Sequence, residues 1–189
     1  SLPSYHPEAV KLNLRPGQQF SVEALLKAAL IPSANDAADA LAIYDSGSVE
    51  QFTKAMNKMA AQWGIGDVNF TTANGLNEVN NYASARSLAK LAKVALANET
   101  LAEIVSQASA QISDSTGQSY TLTSTNRLLG DGRVMGLKTG YTPEAGQSFL
   151  GLADIKGQRV ISVVLNSPDR FGETQSMYAW AERNWEWMK

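Results

Sequence analysis

Two strand-like runs, Gln147 to Ile155 and Arg159 to Asn166, are separated by little more than Lys156-Gly157. A link that short closes an antiparallel hairpin, because parallel neighbours need a crossover of about a dozen residues or more. The two runs must therefore lie side by side and antiparallel. A third run, Val134 to Thr139, completes the main sheet.

Helical signals surround this sheet. Ser21 caps a helix from near Glu23 that Pro32 ends, and a second helix covers about Ala34 to Tyr44. The capping-box form Ser48-Val49-Glu50-Gln51 opens a third, with Phe52, Met56, Met59 and Trp63 on one face and Gly64 as its stop. Asn69 to Tyr82 reads as a structured loop around Asn74-Gly75. Further helices are expected over Ala83 to Ala97, Glu99 to Gln107 and Phe171 to Met188. In the last of these, Met177, Ala181 and Trp185 share a face while Trp180 and Trp187 lie elsewhere, and core packing is expected for the tryptophans. Hairpins are expected over Val10 to Val22, turning at Arg15-Pro16-Gly17-Gln18, and over Gln111 to Thr123, turning at Ser115-Thr116-Gly117. The order implies an α+β fold, an antiparallel sheet packed with helices plus a helical lobe, in a single domain over residues 1–189.

Composition narrows the chemistry. The 189 residues contain no Cys and one His, so thiol nucleophiles, disulfides, Cys-based zinc sites and Ser-His catalysis fall away. His6 itself lies in a terminal stretch with no sign of a role. A net charge of −2 gives no reason to seek nucleic acid. No apolar run approaches the roughly 18–20 residues that cross a bilayer. The opening Ser1-Leu2-Pro3-Ser4-Tyr5 lacks the charged and apolar parts of a signal peptide, which suggests a processed or truncated start. Neither a metal nor an organic cofactor is implied.

Two motifs carry chemistry. Ser33-Ala34-Asn35 stands at the mouth of a helix, where helix capping is the ordinary explanation. Lys138-Thr139-Gly140 ends a strand, where a lysine is usually a solvated edge residue. Together they are two of the three elements found in penicillin-binding proteins and class A β-lactamases.

The chain resembles the low-molecular-mass penicillin-binding proteins of the serine D-Ala-D-Ala carboxypeptidase family. The similarity runs through Leu14-Arg15-Pro16-Gly17, Ser33 to Ala38, Asn74-Gly75-Leu76, Thr125 to Leu129, Gly136 to Thr142, Ala145-Gly146, Arg170 and Trp180. It implies a β-lactamase/transpeptidase-like fold, export to the cell envelope, peptidoglycan stem peptides as substrates and β-lactams as ligands. By the same resemblance, Ser33 relays a proton toward the leaving D-Ala, Asn35 bonds the substrate amide and Lys138 supplies charge beside Ser33. Thr139 meets the terminal carboxylate, Gly140 lets substrate lie along the strand, the Tyr141 N–H forms half of an oxyanion hole, and Arg170 orients the carboxylate.

The family's Ser-X-X-Lys nucleophile motif should stand some tens of residues before Ser33, and residues 1–32 contain none. The only such pattern is Ser87-Leu88-Ala89-Lys90, downstream and inside a helix. The chain is therefore expected to lack the N-terminal part of the domain and to be inactive alone. The sheet edge at Arg159 to Asn166 is then expected to stand open to a second copy or to a separate N-terminal fragment. A noncatalytic module that binds wall peptide is the alternative. A β-lactamase is a weaker one, because Ala34 stands where class A enzymes carry Asp.

Overall fold

The computed structural model describes Leu2, Tyr5, residues 9–76 and residues 78–186, so His6, Trp187 and Met188 lie outside the described residues. The chain divides into two compact units, one of residues 1–82 and 107–125, the other of residues 83–106 and 126–189.

The first unit is the helical lobe. It contains α1 (Val22–Leu30), α2 (Asn35–Ser46), α3 (Val49–Gln62), the short pair β1 (Val68–Asn69) and β2 (Tyr82–Ala83), and the hairpin β3 (Ser109–Ser113) and β4 (Ser119–Thr123). Ser21 and Ser48 cap α1 and α3 as expected, accepting from the N–H groups of Ala24 and Gln51. Buried alanines on α1 (Ala24, Ala28) and α2 (Ala37, Ala42) provide small side chains where these helices pack.

The hairpin expected for this unit fails. No strand forms over residues 10–21, although the turn is real. Gln18 N–H donates to the Arg15 carbonyl at 3.1 Å, with Pro16 and a left-handed Gly17 between them. The arm before the turn fails to pair with the arm after it because its N–H groups are taken by α2. Leu12 and Leu14 donate to the two oxygens of Asp36 at 2.9 and 3.0 Å. On α3 the buried residues are Thr53 and Ala60, Phe52 and Met56 are half-buried, and Met59 and Trp63 are exposed. Asn57 ties the helix to the following segment, donating to and accepting from the Phe70 backbone at 2.8 Å each way.

The second unit holds α4 (Ala85–Ala95), α5 (Glu99–Val105), β5 (Val134–Thr142), β6 (Gly146–Ile155), β7 (Gln158–Ser167) and α6 (Arg170–Asn184). The sheet is antiparallel, in the order β5-β6-β7. Lys156 and Gly157, at φ 54° and 79°, form the two-residue hairpin turn, the conformation in which both central residues need positive φ. Phe149, Ala153 and Ile155 pack with Tyr178 of α6 on one face. Leu152 and Leu150 pack with Ala92 and Leu96 beyond the other. The middle strand is thus buried on both faces, and its sequence accordingly lacks polar alternation.

On α6 the buried positions are Thr174, Tyr178 and Ala181. Met177, Trp180 and Trp185 are exposed, contrary to the expected core packing of the tryptophans. The helix register is set by Asp169, which accepts from Gly172 N–H, and by the Tyr178 hydroxyl, 2.8 Å from Ser162 Oγ.

Candidate active site

Neither Ser33 nor Asn35 is the cap of α2. The N-cap of α2 is Ala34, with no side-chain bond, and Asn35 is the first helical residue. Ser33 has φ 68°, a left-handed conformation that costs a non-glycine residue about 1–3 kcal/mol and that concentrates at functional sites. Its neighbours hold it there. Ala34 N–H reaches the Ala28 carbonyl at 3.0 Å, and the Asn35 backbone N–H and side-chain Nδ2 both donate to the Val10 carbonyl, at 2.9 and 3.0 Å. Val10 thereby uses one of the two Nδ2 hydrogens and fixes the amide plane. Asp36 completes the clamp through Leu12, Leu14 and its own helix, where Ala37 N–H donates to Oδ1. Sequence reasoning assigned no role to Asp36, which is buried and anchors this turn.

In the second unit, Lys138, Thr139, Gly140 and Tyr141 lie on β5, an edge strand of the sheet among the described residues. Lys138 pairs with Leu150 and Thr139 with Phe149, so their side chains leave opposite faces. A ligand can meet both faces only at such an edge. A bulge between Val134 and Gly136 re-aims the strand just before this triplet. Gly136 is required there, since a Cβ would stand 2.7 Å from the Val105 carbonyl oxygen of α5.

The structure brings Arg170 to this strand. From the first position of α6, its Nη1 donates to the Gly140 carbonyl at 2.8 Å, and its guanidinium lies 4.8 Å from the Phe171 ring centre. Its Nε is buried without a hydrogen-bond partner. Lys138 Nζ donates to the Thr139 carbonyl at 2.8 Å. Burial, helped by the Arg170 charge, lowers the Lys138 ammonium to about 8. Burial and the charge of Arg127 likewise lower Arg170. Cations that depress one another in this way favour an anionic ligand. Arg127 is a contributor that sequence reasoning quoted within Thr125 to Leu129 without giving it a task. Gly140 and Tyr141 are exposed on the strand, and Thr139 is buried.

Ser87 is buried in the first turn of α4, its Oγ 3.0 Å from Ser84 Oγ, whereas Lys90 is exposed.

An antiparallel sheet flanked by helices, with Lys-Thr-Gly on an edge strand beside an arginine, defines the class of DD-transpeptidase and β-lactamase-like folds. The chain is similar to the solved Streptomyces K15 DD-transpeptidase, with a TM-score of 0.80 and 30% identity over 93% of this chain and 71% of that one. It is also similar to a D-alanyl-D-alanine carboxypeptidase from Mycobacterium tuberculosis H37Rv, with a TM-score of 0.82 and 26% identity over 92% and 69% of the two chains. The family model described as D-alanyl-D-alanine carboxypeptidase matches residues 4–169, and the chain belongs to that family. Among curated relatives, DacF of Bacillus subtilis is 36% identical over 155 residues, 82% of this chain and 40% of DacF. DacC of Escherichia coli K12 is 35% identical over 178 residues, 92% and 44% of the two chains. The chain spans about half the length, or less, of these curated relatives.

Proposed function

We propose that residues 1–189 act as one domain of a serine-type D-alanyl-D-alanine carboxypeptidase, recognising peptidoglycan stem peptides outside the cytoplasm and binding β-lactams. The observation that carries this reading is the Lys138-Thr139-Gly140 edge with Arg170 bonded to it and Lys138 lowered by burial. Thr139 and Arg170 take the terminal carboxylate of the peptide by charge-assisted bonds, and Gly140 leaves the strand open to its backbone. The Tyr141 N–H supplies one oxyanion donor, a group whose loss typically costs about 10²–10³ in rate. Ser33 relays the proton to the departing D-Ala amine, Lys138 favours that relay electrostatically, and Asn35 directs its remaining N–H to the substrate amide.

The acyl-enzyme requires a serine activated by a lysine, and the 189 residues supply only Ser87 and Lys90 in that spacing. The polypeptide by itself therefore binds the peptide without cleaving it and takes no covalent β-lactam. Intact-mass spectrometry after incubation with penicillin tests this. The unmodified mass is expected. An adduct mapped to Ser87 or Ser33 would overturn the assignment of roles. Binding of a D-Ala-D-Ala peptide that is lost when its C-terminus is amidated tests the carboxylate site separately.

The partner reading rests on β7. Its only strand neighbour among the described residues is β6, while α4 and α6 both pack against it. Its run Val160-Ile161-Ser162-Val163-Val164-Leu165 carries no charge and no proline, the features that usually protect an edge. In the isolated polypeptide this edge takes up β7 of a second copy.

A further inference from the structure

The direction in which Arg170 leaves the sheet is decided just before α6 begins. The last two residues of β7, Asn166 and Ser167, and the pair Pro168-Asp169 lead into Arg170, the first residue of that helix. They do not continue the line of the strand. Between the pairs Phe149–Val164 and Gln147–Ser167, β7 runs one residue more than β6, a bulge, and Asn166 inside it takes φ 52°. The Asn166 side chain lies over Gly146, where an added Cβ would collide with its Oδ1. Two bonds then fix the turn from within. Asp169 N–H donates to Ser167 Oγ at 3.0 Å, and Gly172 N–H donates to Asp169 Oδ1 at 3.0 Å. A third ties it to the sheet, from Gln147 Nε2 to the Pro168 carbonyl at 3.2 Å. Pro168 has no N–H, so its carbonyl is what its backbone can offer a neighbouring strand.

Gln147 is the second residue of β6, paired with Tyr141 of β5 on one side and with Ser167 of β7 on the other. It therefore stands between the strand of Lys138, Thr139 and Gly140 and the segment that delivers Arg170. The guanidinium has few other ties. Phe171, whose ring it faces, belongs to the same helix and moves with it, and Nε is buried without a partner. The bond from Nη1 to the Gly140 carbonyl is what joins it to β5. At 2.8 Å, that bond is lost if the start of α6 moves away by about an ångström. More depends on it than the arginine. The Gly140 carbonyl and the Tyr141 N–H belong to one planar peptide group, so a donor on the carbonyl also fixes the plane from which the N–H points, on the opposite side.

We propose that Gln147 is a positioning residue: by donating to the Pro168 carbonyl it holds the start of α6 so that Arg170 stays on the Gly140–Tyr141 peptide group. It touches no substrate itself. Its effect on peptide binding rests on the reading above, in which Arg170 meets the carboxylate and the Tyr141 N–H meets the oxyanion, whereas its effect on Arg170 does not. What the position requires is reach as much as polarity. The side chain must carry an N–H from β6 to a carbonyl beyond the end of β7, and glutamine does so without adding a charge beside Arg170.

Nitrogen-15 NMR of the 189-residue polypeptide without ligand tests the placement. In Gln147→Leu the Arg170 Nε–H signal should lose order, and the Tyr141 amide signal should move as it does in Arg170→Ala. The Lys138 ammonium should titrate above its wild-type midpoint of about 8, since the Arg170 charge that helps to lower it has moved away. Gln147→Asn keeps an amide but falls one methylene short, and it should behave as the leucine variant does. An Arg170 signal, a Tyr141 amide and a Lys138 midpoint unchanged in both variants would overturn the proposal. Peptide binding tests the coupling. Gln147→Leu should weaken the Kd for a D-Ala-D-Ala peptide about three- to tenfold, the worth of one neutral hydrogen bond, and should have no further effect in an Arg170→Ala background. An equal loss in both backgrounds would place the action of Gln147 elsewhere and overturn the proposal. If Arg170→Ala binds the peptide as well as the wild type does, the carboxylate reading fails, and the ligand-free signals still decide the role of Gln147.

Discussion

Raising the pH through 8 while a D-Ala-D-Ala peptide titrates onto the chain tests whether the Lys138 charge takes part in recognising the carboxylate. Burial and Arg170 bring Lys138 to about 8 in the free protein. It is then about nine-tenths protonated at pH 7 and about one-tenth at pH 9, by the ordinary titration curve. A bound carboxylate favours the ammonium, so the proton stays on in the complex. The apparent Kd should therefore weaken about tenfold between pH 7 and pH 9, equivalent to about 1.4 kcal/mol. Isothermal titration in two buffers of different ionisation enthalpy would also register proton uptake on binding above pH 8. Lys138→Met should abolish the pH dependence and weaken binding at pH 7 by about the tenfold that the charge supplies, about 1.4 kcal/mol. Arg170→Ala separates the two cations. It should weaken binding at every pH and also move the midpoint above 8, since the Arg170 charge is one of the two causes that lower Lys138. A Kd that stays flat from pH 7 to about 9.5, or a midpoint that ignores Arg170, would refute the reasoning.

Gly136→Ala should lower the denaturant midpoint by about 1–3 kcal/mol, because the new Cβ meets the Val105 carbonyl oxygen at 2.7 Å and neither backbone can yield without moving the bulge. Asp36→Ala strips the acceptor from the N–H groups of Leu12 and Leu14 and should cost about 2–4 kcal/mol of stability, read by chemical unfolding, with the 10–14 arm losing exchange protection first. Light scattering of the 189-residue polypeptide should give a mass that rises with concentration above 20.3 kDa, and a monomer with slow amide exchange along Val160 to Leu165 would contradict the open β7 edge.

The sheet was legible because its signals are local. A two-residue turn, three apolar runs and a terminal helix are each written within a few adjacent residues, and the structure extends those strands by only a few positions. Helices were legible where a serine cap preceded them. Their inward faces were less so. On α6 the reading favoured Met177 and Trp185 because they are large and apolar, yet Thr174 and Tyr178 are buried, each with its hydroxyl satisfied, on Arg170 O and Ser162 Oγ. A buried hydroxyl with a partner behaves as core, and for Tyr178 that partner, Ser162, lies on another element. The supposed hairpin at Val10 failed for the same reason. Alternation suggested a strand, but the acceptors that hold its N–H groups sit on Asp36, more than twenty residues away.

The candidate site divides along the same line. Lys138, Thr139 and Gly140 are contiguous, so one short motif carries them, whereas the bond from Arg170 to Gly140 spans thirty residues and exists only once β7 has returned the chain to the start of α6. Ser33 shows most clearly what a motif omits. Read as a helix cap, its backbone would take an extended conformation, the usual one for that position. The fold instead forces it to φ 68° and covers the cost with a set of bonds from Asn35 and Asp36 to the 10–14 arm. Those bonds secure the backbone that follows Ser33, and the N-cap position falls to Ala34. Strain kept in place by that many long-range contacts is a reason to assign Ser33 to chemistry rather than to helix termination.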